Sequence, residues 1–141
     1  NILKQSSKED AEKIISIAQR RIEKIAASYR QAFGADLQSV FLCGDYARGD
    51  YNTDSDVDYA AVVNGDRDGL QQKMKLVWQN AADLGLEYDI MVLPTLIPKA
   101  DYEKYKTLLP QYQILQREGK RIVWRADKIS FGLISRKSHG G

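Results

Sequence analysis

Three acids stand where acids are costly. Asp56-Val57-Asp58 opens an apolar run that continues to Val63, and Asp89 lies between Tyr88 and Ile90 in the run from Leu86 to Leu93. Aspartate is depleted in strands, and a carboxylate among apolar neighbours is unfavourable unless it is paired or bound to metal. On an extended chain, side chains two apart share a face and lie about 6.6 Å apart along the strand. Two carboxylates that close repel each other, and a divalent cation between them removes the repulsion. Magnesium–oxygen distances of about 2.1 Å let both reach one ion. The chemistry that suits Asp56, Asp58 and Asp89 is therefore metal-assisted, with all three as candidate ligands.

Upstream of the pair lies Gly44-Asp45-Tyr46-Ala47-Arg48-Gly49-Asp50, too polar and glycine-rich to extend a strand. It reads as a turn followed by about one helical turn. The glycine spacing is that of a P-loop, but Asp50-Tyr51 follow where Lys and Ser/Thr are required. Asp54-Ser55-Asp56-Val57-Asp58 opens like an EF-hand loop, but Tyr59 replaces the glycine of the sixth position and Gly65 the glutamate of the twelfth. The lone histidine, His139, sits in a Gly-ending tail, which argues against a histidine triad or a His-rich zinc site.

The elements that must position these residues follow from periodicity. Residues 7–33 read as a helix, capped by Ser6 or Ser7 with a Ser6/Glu9 capping box and stopped at Gly34. Its apolar stripe runs from Ala11 through Ile22, Ile25, Ala26 and Tyr29 to Phe33. Leu37 to Cys43 is a strand, Asn52 to Ser55 a loop, and Asp56 to Val63 a second strand. Its alternation puts Asp56, Asp58, Ala60 and Val62 on one face and Val57, Tyr59, Ala61 and Val63 on the other. Residues 67–84 form a second amphipathic helix, with Leu70, Met74, Val77, Trp78, Ala81 and Leu84 buried and Gly85 as its stop. Leu86 to Leu93 is the third strand, closed by Pro94. Helices over 99–108 and 111–118 flank Pro110, Arg121 to Trp124 is a short edge strand, and the last dozen residues are expected to be poorly ordered. The order predicts an α/β (α+β) domain around a small mixed sheet flanked by helices, with residues 1–125 as the domain and 126–141 as a tail.

The chain has 141 residues, which suits one domain with a core that needs no disulfide. A net charge of +2 gives no sign of a dedicated nucleic-acid binder. No segment is long and apolar enough to span a membrane, no signal-peptide pattern opens the chain, and Cys43 is the sole cysteine. Together these make a cytoplasmic location the expectation.

The stretch from Phe41 to Asp58 resembles the signature of the DNA polymerase beta-like nucleotidyltransferase superfamily, and within it the minimal nucleotidyltransferase (MNT) branch. That signature is Gly-Ser, ten residues, then Asp-x-Asp; here Gly44-Asp45 precedes ten residues and Asp56-Val57-Asp58. The inner Ala47-Arg48-Gly49 and Ser55-Asp56-Val57-Asp58 pieces also match, and the likeness covers roughly residues 37–93. The resemblance implies the nucleotidyltransferase fold and two Mg2+ ions, with Mn2+ as a substitute, held by Asp56, Asp58 and Asp89. It implies in-line displacement on a nucleoside triphosphate, with Gly44, Asp45 and Arg48 at the nucleotide. AMP would pass from ATP to a hydroxyl, and the short domain would suit an antitoxin whose acceptor is a tyrosine of a helical HEPN-domain toxin. The motif serine is Asp45 here, and a carboxylate beside a triphosphate adds ~1–4 kcal/mol of repulsion at about 4 Å. Two other functions are thus open. One is a small-molecule transferase with an aminoglycoside-like acceptor and an acidic pocket of Glu87, Asp101 and Glu103. The other is a non-catalytic partner-binding module acting through Tyr102, Tyr105 and Tyr112, tyrosines that otherwise read as half-buried helix packing.

Overall fold

The computed structural model describes residues 20–49, 56–125 and 128–133. A helix over residues 20–33 (α1) passes through a short 3-10 turn, Gly34–Asp36, into strand β1, Leu37–Cys43. Helix α2 (Gly44–Arg48), strand β2 (Val57–Val63), helix α3 (Arg67–Tyr88) and strand β3 (Val92–Pro98) follow. Helices α4 (Lys99–Tyr105) and α5 (Pro110–Glu118) lead into strands β4 (Lys120–Arg125) and β5 (Lys128–Leu133). The five strands form one mixed sheet in the order β3-β2-β1-β4-β5, with β2 and β3 parallel and the other pairs antiparallel.

Period-two alternation divides the core between the faces of this sheet. Val40 and Leu42 of β1 join Val57, Tyr59, Ala61 and Val63 of β2 on one face, under α1 and α3. Phe41, Ala60, Val62 and Ile97 line the other, against Leu115 of α5 and the half-buried Tyr102 and Tyr112. α3 is held to the first face by Leu70, Met74, Val77, Ala81 and Leu84, at helical spacing, and starts where the Asp66 side chain accepts from the Gly69 N–H at 2.8 Å.

β1 matches its expected bounds, and β2 begins one residue later than expected. The expected loop at Asn52–Ser55 and the Ser6/Glu9 capping box lie outside the described residues. Five expectations are corrected. Gly85 does not end the second helix, which runs on to Tyr88 and closes with Asp89 in the left-handed region at φ 54. The returning chain passes so close to Gly85 that an added Cβ would meet the Ile90 carbonyl oxygen at 2.8 Å; the glycine makes room for the reversal. The third strand therefore starts at Val92, and Pro94 lies inside it, tolerated because β3 is the edge strand of the sheet among the described residues. β4, expected at the edge, pairs with β1 and β5, and part of the expected tail is β5. Trp78, expected in the buried stripe, is 46% exposed.

Met74 is fully buried between α3 and the sheet. Met74→Ala should lower stability by about 2–5 kcal/mol, read as a lower urea midpoint with an unchanged slope.

Candidate functional site

β1 and β2 pair with Cys43 opposite Asp58, so the glycine turn that leaves β1 starts beside the acid that opens β2. Gly44 has φ +67, and a Cβ there would fall 2.6 Å from Oδ2 of Asp58. The glycine is needed twice, for a left-handed backbone and for the carboxylate that fills its side-chain space. Asp58 shares its face with Ala60 and Val62, as the alternation predicts, and is half-buried.

Burial, then the neighbouring Asp56 and Asp45 carboxylates, raise the Asp58 carboxyl above its ordinary value, and Arg48 partly offsets them. The site thus gathers three acids, but the third on the page is Asp45 of α2. Asp89, expected inside a strand, is the exposed C-cap of α3. It lies two residues before Met91, whose carbonyl accepts from the Val57 N–H at 3.0 Å, so it stands at the Asp56 end of the β2–β3 pair. No group of three His, Cys, Asp or Glu among the described residues is already arranged around one metal position.

Arg48 forms an ion pair with Asp45, three residues back, and a looser one with Glu118 of α5 at 3.7 Å. Both pairs are part-exposed, where such contacts contribute about 0–1 kcal/mol. Their effect is to hold a guanidinium beside Gly44. A cavity of about 450 Å3 opens there between the sheet face and α5; Cys43, Gly44, Arg48, Thr95, Tyr112 and Glu118 are among its walls. Burial and the Asp58 carboxylate push the Cys43 thiol up to about 12, so it lines this cavity as a neutral thiol. The wall from α5 was not legible in sequence, because no chemical motif marks Gln111, Tyr112 or Glu118.

Each of the acids expected to form an acceptor pocket is engaged by a cation: Glu87 pairs with Lys24 at 3.2 Å, Asp101 with Arg67 at 2.8 Å and Glu103 with Lys106 at 3.1 Å. Tyr102 and Tyr112 pack on each other with ring centroids 5.6 Å apart, as half-buried helix packing. Among the described residues, no helix is long and apolar enough to cross a membrane.

Comparison with known proteins adds three findings. The family model described as nucleotidyltransferase domain matches residues 20–122. A Methanocaldococcus jannaschii protein, named provisionally as a protein adenylyltransferase, is 40% identical over 63 residues; the match spans 45% of this chain and 62% of that protein's length. Among solved structures, a chain from a mutant form of the toxin–antitoxin MntA–HpeT has a TM-score of 0.44 at 24% identity, covering 72% of this chain and 69% of its own. A structure from Sulfolobus solfataricus, named provisionally as a nucleotidyltransferase, has 0.42 at 22%, covering 70% and 79%.

Two substitutions test this geometry. Gly44→Ala should destabilise by about 1–2 kcal/mol from backbone strain and displace the Asp58 carboxylate as well, measured by denaturant unfolding. Because its carboxyl is raised, Asp58 favours the metal-free fold when protonated, and that contribution is lost as pH rises through its folded value. Asp58→Asn should accordingly raise the metal-free unfolding temperature, more at pH 8 than near pH 4, as read by thermal unfolding at the two pH values.

Proposed function

Since the chain belongs to the nucleotidyltransferase domain family, we propose that it transfers AMP from ATP to a hydroxyl of a partner protein, the acceptor oxygen losing its proton and bonding the α-phosphorus as pyrophosphate leaves. The observation that carries this reading is the Asp58 carboxylate, half-buried against Gly44 with Asp56 and Asp45 adding like charge. Such a cluster is uncomfortable alone and suited to divalent cations, so the donor set fits Mg2+ or Mn2+. Asp56 and Asp58 would hold the metal, with Asp89 as the third ligand and two ions expected. Bound there, the ions supply charge neutralisation for the triphosphate and a lowered pKa for the acceptor hydroxyl.

Strand register supports a place for Asp89. Leu93 is in register with Asp58, so residues 93, 91 and 89 would share the Asp58 face if β3 began three residues earlier, at Asp89. Unwinding the last turn of α3 on substrate binding would bring the Asp89 carboxylate into that phase. Arg48, held by Asp45 and Glu118, would exchange those partners for phosphate oxygens, and this answers in part the repulsion from Asp45. The cavity under α5 is within the size range of small-ligand sites and would take the nucleoside.

A protein acceptor is favoured over a polycationic small molecule. The acids that would have held a drug are each engaged by a cation. Exposed Leu93, in register with Asp58, and exposed Ile114, on the cavity wall, offer an apolar approach to an aromatic side chain. The named activity of the M. jannaschii relative points the same way. The acceptor of this reading is a tyrosine of a HEPN-domain toxin, with the chain acting as cytoplasmic antitoxin.

The test is label transfer from α-labelled ATP with Mg2+ and a candidate HEPN partner. The parent should label the partner, and Asp56→Ala or Asp58→Asn should lower the rate by at least about 100-fold. Asp45→Ser should raise it. Equal labelling by Asp56→Ala and the parent would reject the site. Labelling seen only after Asp45→Ser would instead make the natural chain a binding module.

A further inference from the structure

Behind the carboxylates, on the far side of the sheet, lies a guanidinium that no part of the transfer chemistry uses. Arg21 of α1 is 2% exposed. Its Nη1 donates to the hydroxyl of Tyr46, the residue after Asp45. Its guanidinium carbon lies 4.7 Å from the ring centroid of Tyr88, the residue before Asp89. Its main-chain carbonyl accepts from the hydroxyl of Tyr59, the residue after Asp58, at 3.1 Å. Each of these acids therefore has a tyrosine as chain neighbour, and all three tyrosines converge on one arginine.

We propose that Arg21 is a positioning residue that sets the relative placement of Asp45, Asp58 and Asp89 through Tyr46, Tyr59 and Tyr88. Alternation makes this coupling direct on β2, where Asp58 and Tyr59 leave the strand on opposite faces, so a shift of one tilts the other. Tyr46 is buried in the α1–α3 core while Asp45, next to it, interacts with Asp58 on the opposite side. Tyr88 sits at the end of α3, where the left-handed Asp89 turns the chain toward β3. A buried guanidinium is costly unless its partners are fixed, and that cost penalises movement of Tyr46 or Tyr88 alone, while Tyr59 is tied to the same residue through its main-chain carbonyl. Lysine keeps the charge but lacks the planar fork that donates to one ring hydroxyl while stacking on another ring.

The acids' role in holding metal rests on the reading above; their shared tether does not. Two measurements on Arg21→Lys separate the two. Amide hydrogen exchange should speed up by about tenfold or more in residues 44–48 and 85–91 together, while β4 keeps the parent's rates and residues 57–59, held through the retained main-chain carbonyl, respond less. Mn2+ affinity, measured by titration without nucleotide, should fall about 10–100-fold. Tyr88→Leu, which removes the stacked ring, should repeat both effects more weakly. It also serves if Arg21→Lys fails to fold. Faster exchange over the whole sheet, or in only one of the segments 44–48 and 85–91, would overturn the proposal. Coordinated exchange in a parent that binds no Mn2+ would keep the tether and reject the metal site.

Discussion

The carboxylate of Asp58 fills the space that any side chain at residue 44 would need. Much of the local structure follows from that contact. Residue 44 must be glycine, so β1 can end there in a left-handed turn and α2 can start at once. The turn brings Asp45 toward an acid already crowded by Asp56. The negative charge gathered there is a local instability, tolerated because the strands that carry it are fixed elsewhere.

That fixing comes from the opposite face. Tyr59, Val57, Ala61 and Val63 are buried under α1 and α3, and the register of β2 follows from them, since a slip of one residue would turn Asp58 into the core. Tyr29 adds a bond from its hydroxyl to the Thr95 carbonyl at 2.7 Å, tying α1 to β3. The face that carries Asp58 is covered less completely, by α4 and α5, and keeps a cavity. One side of the sheet supplies rigidity and the other supplies access, an arrangement suited to holding reactive groups close without collapse around them.

The local patterns in the sequence were sufficient for β1, β2, the Asp58 face and the glycine turn, because each depends on near neighbours. Asp89 was misplaced because Leu86 and Tyr88 read equally well as strand or as a last helical turn, and Gly85 reads as a stop. The deciding contact is Gly85 against the Ile90 carbonyl, a feature of the chain's path that side-chain pattern does not encode. Pro94 reads as a terminator in sequence because a strand's edge position depends on the sheet order. The same holds for β4, internal only because β5 pairs with it. Arg21 was invisible for a related reason: its partners lie 25, 38 and 67 residues away along the chain.

The central claim is that Asp56 and Asp58, beside the Gly44 turn, hold a divalent cation next to a nucleotide. A crystal structure with Mn2+ and a non-hydrolysable ATP analogue tests it most directly, through the anomalous signal of the metal. The expected result is a Mn2+ peak within reach of the Asp56 and Asp58 carboxylates, with the triphosphate at Gly44 and the nucleoside under α5. A nucleotide bound on the α1–α3 face, or a metal peak remote from both acids, would contradict it.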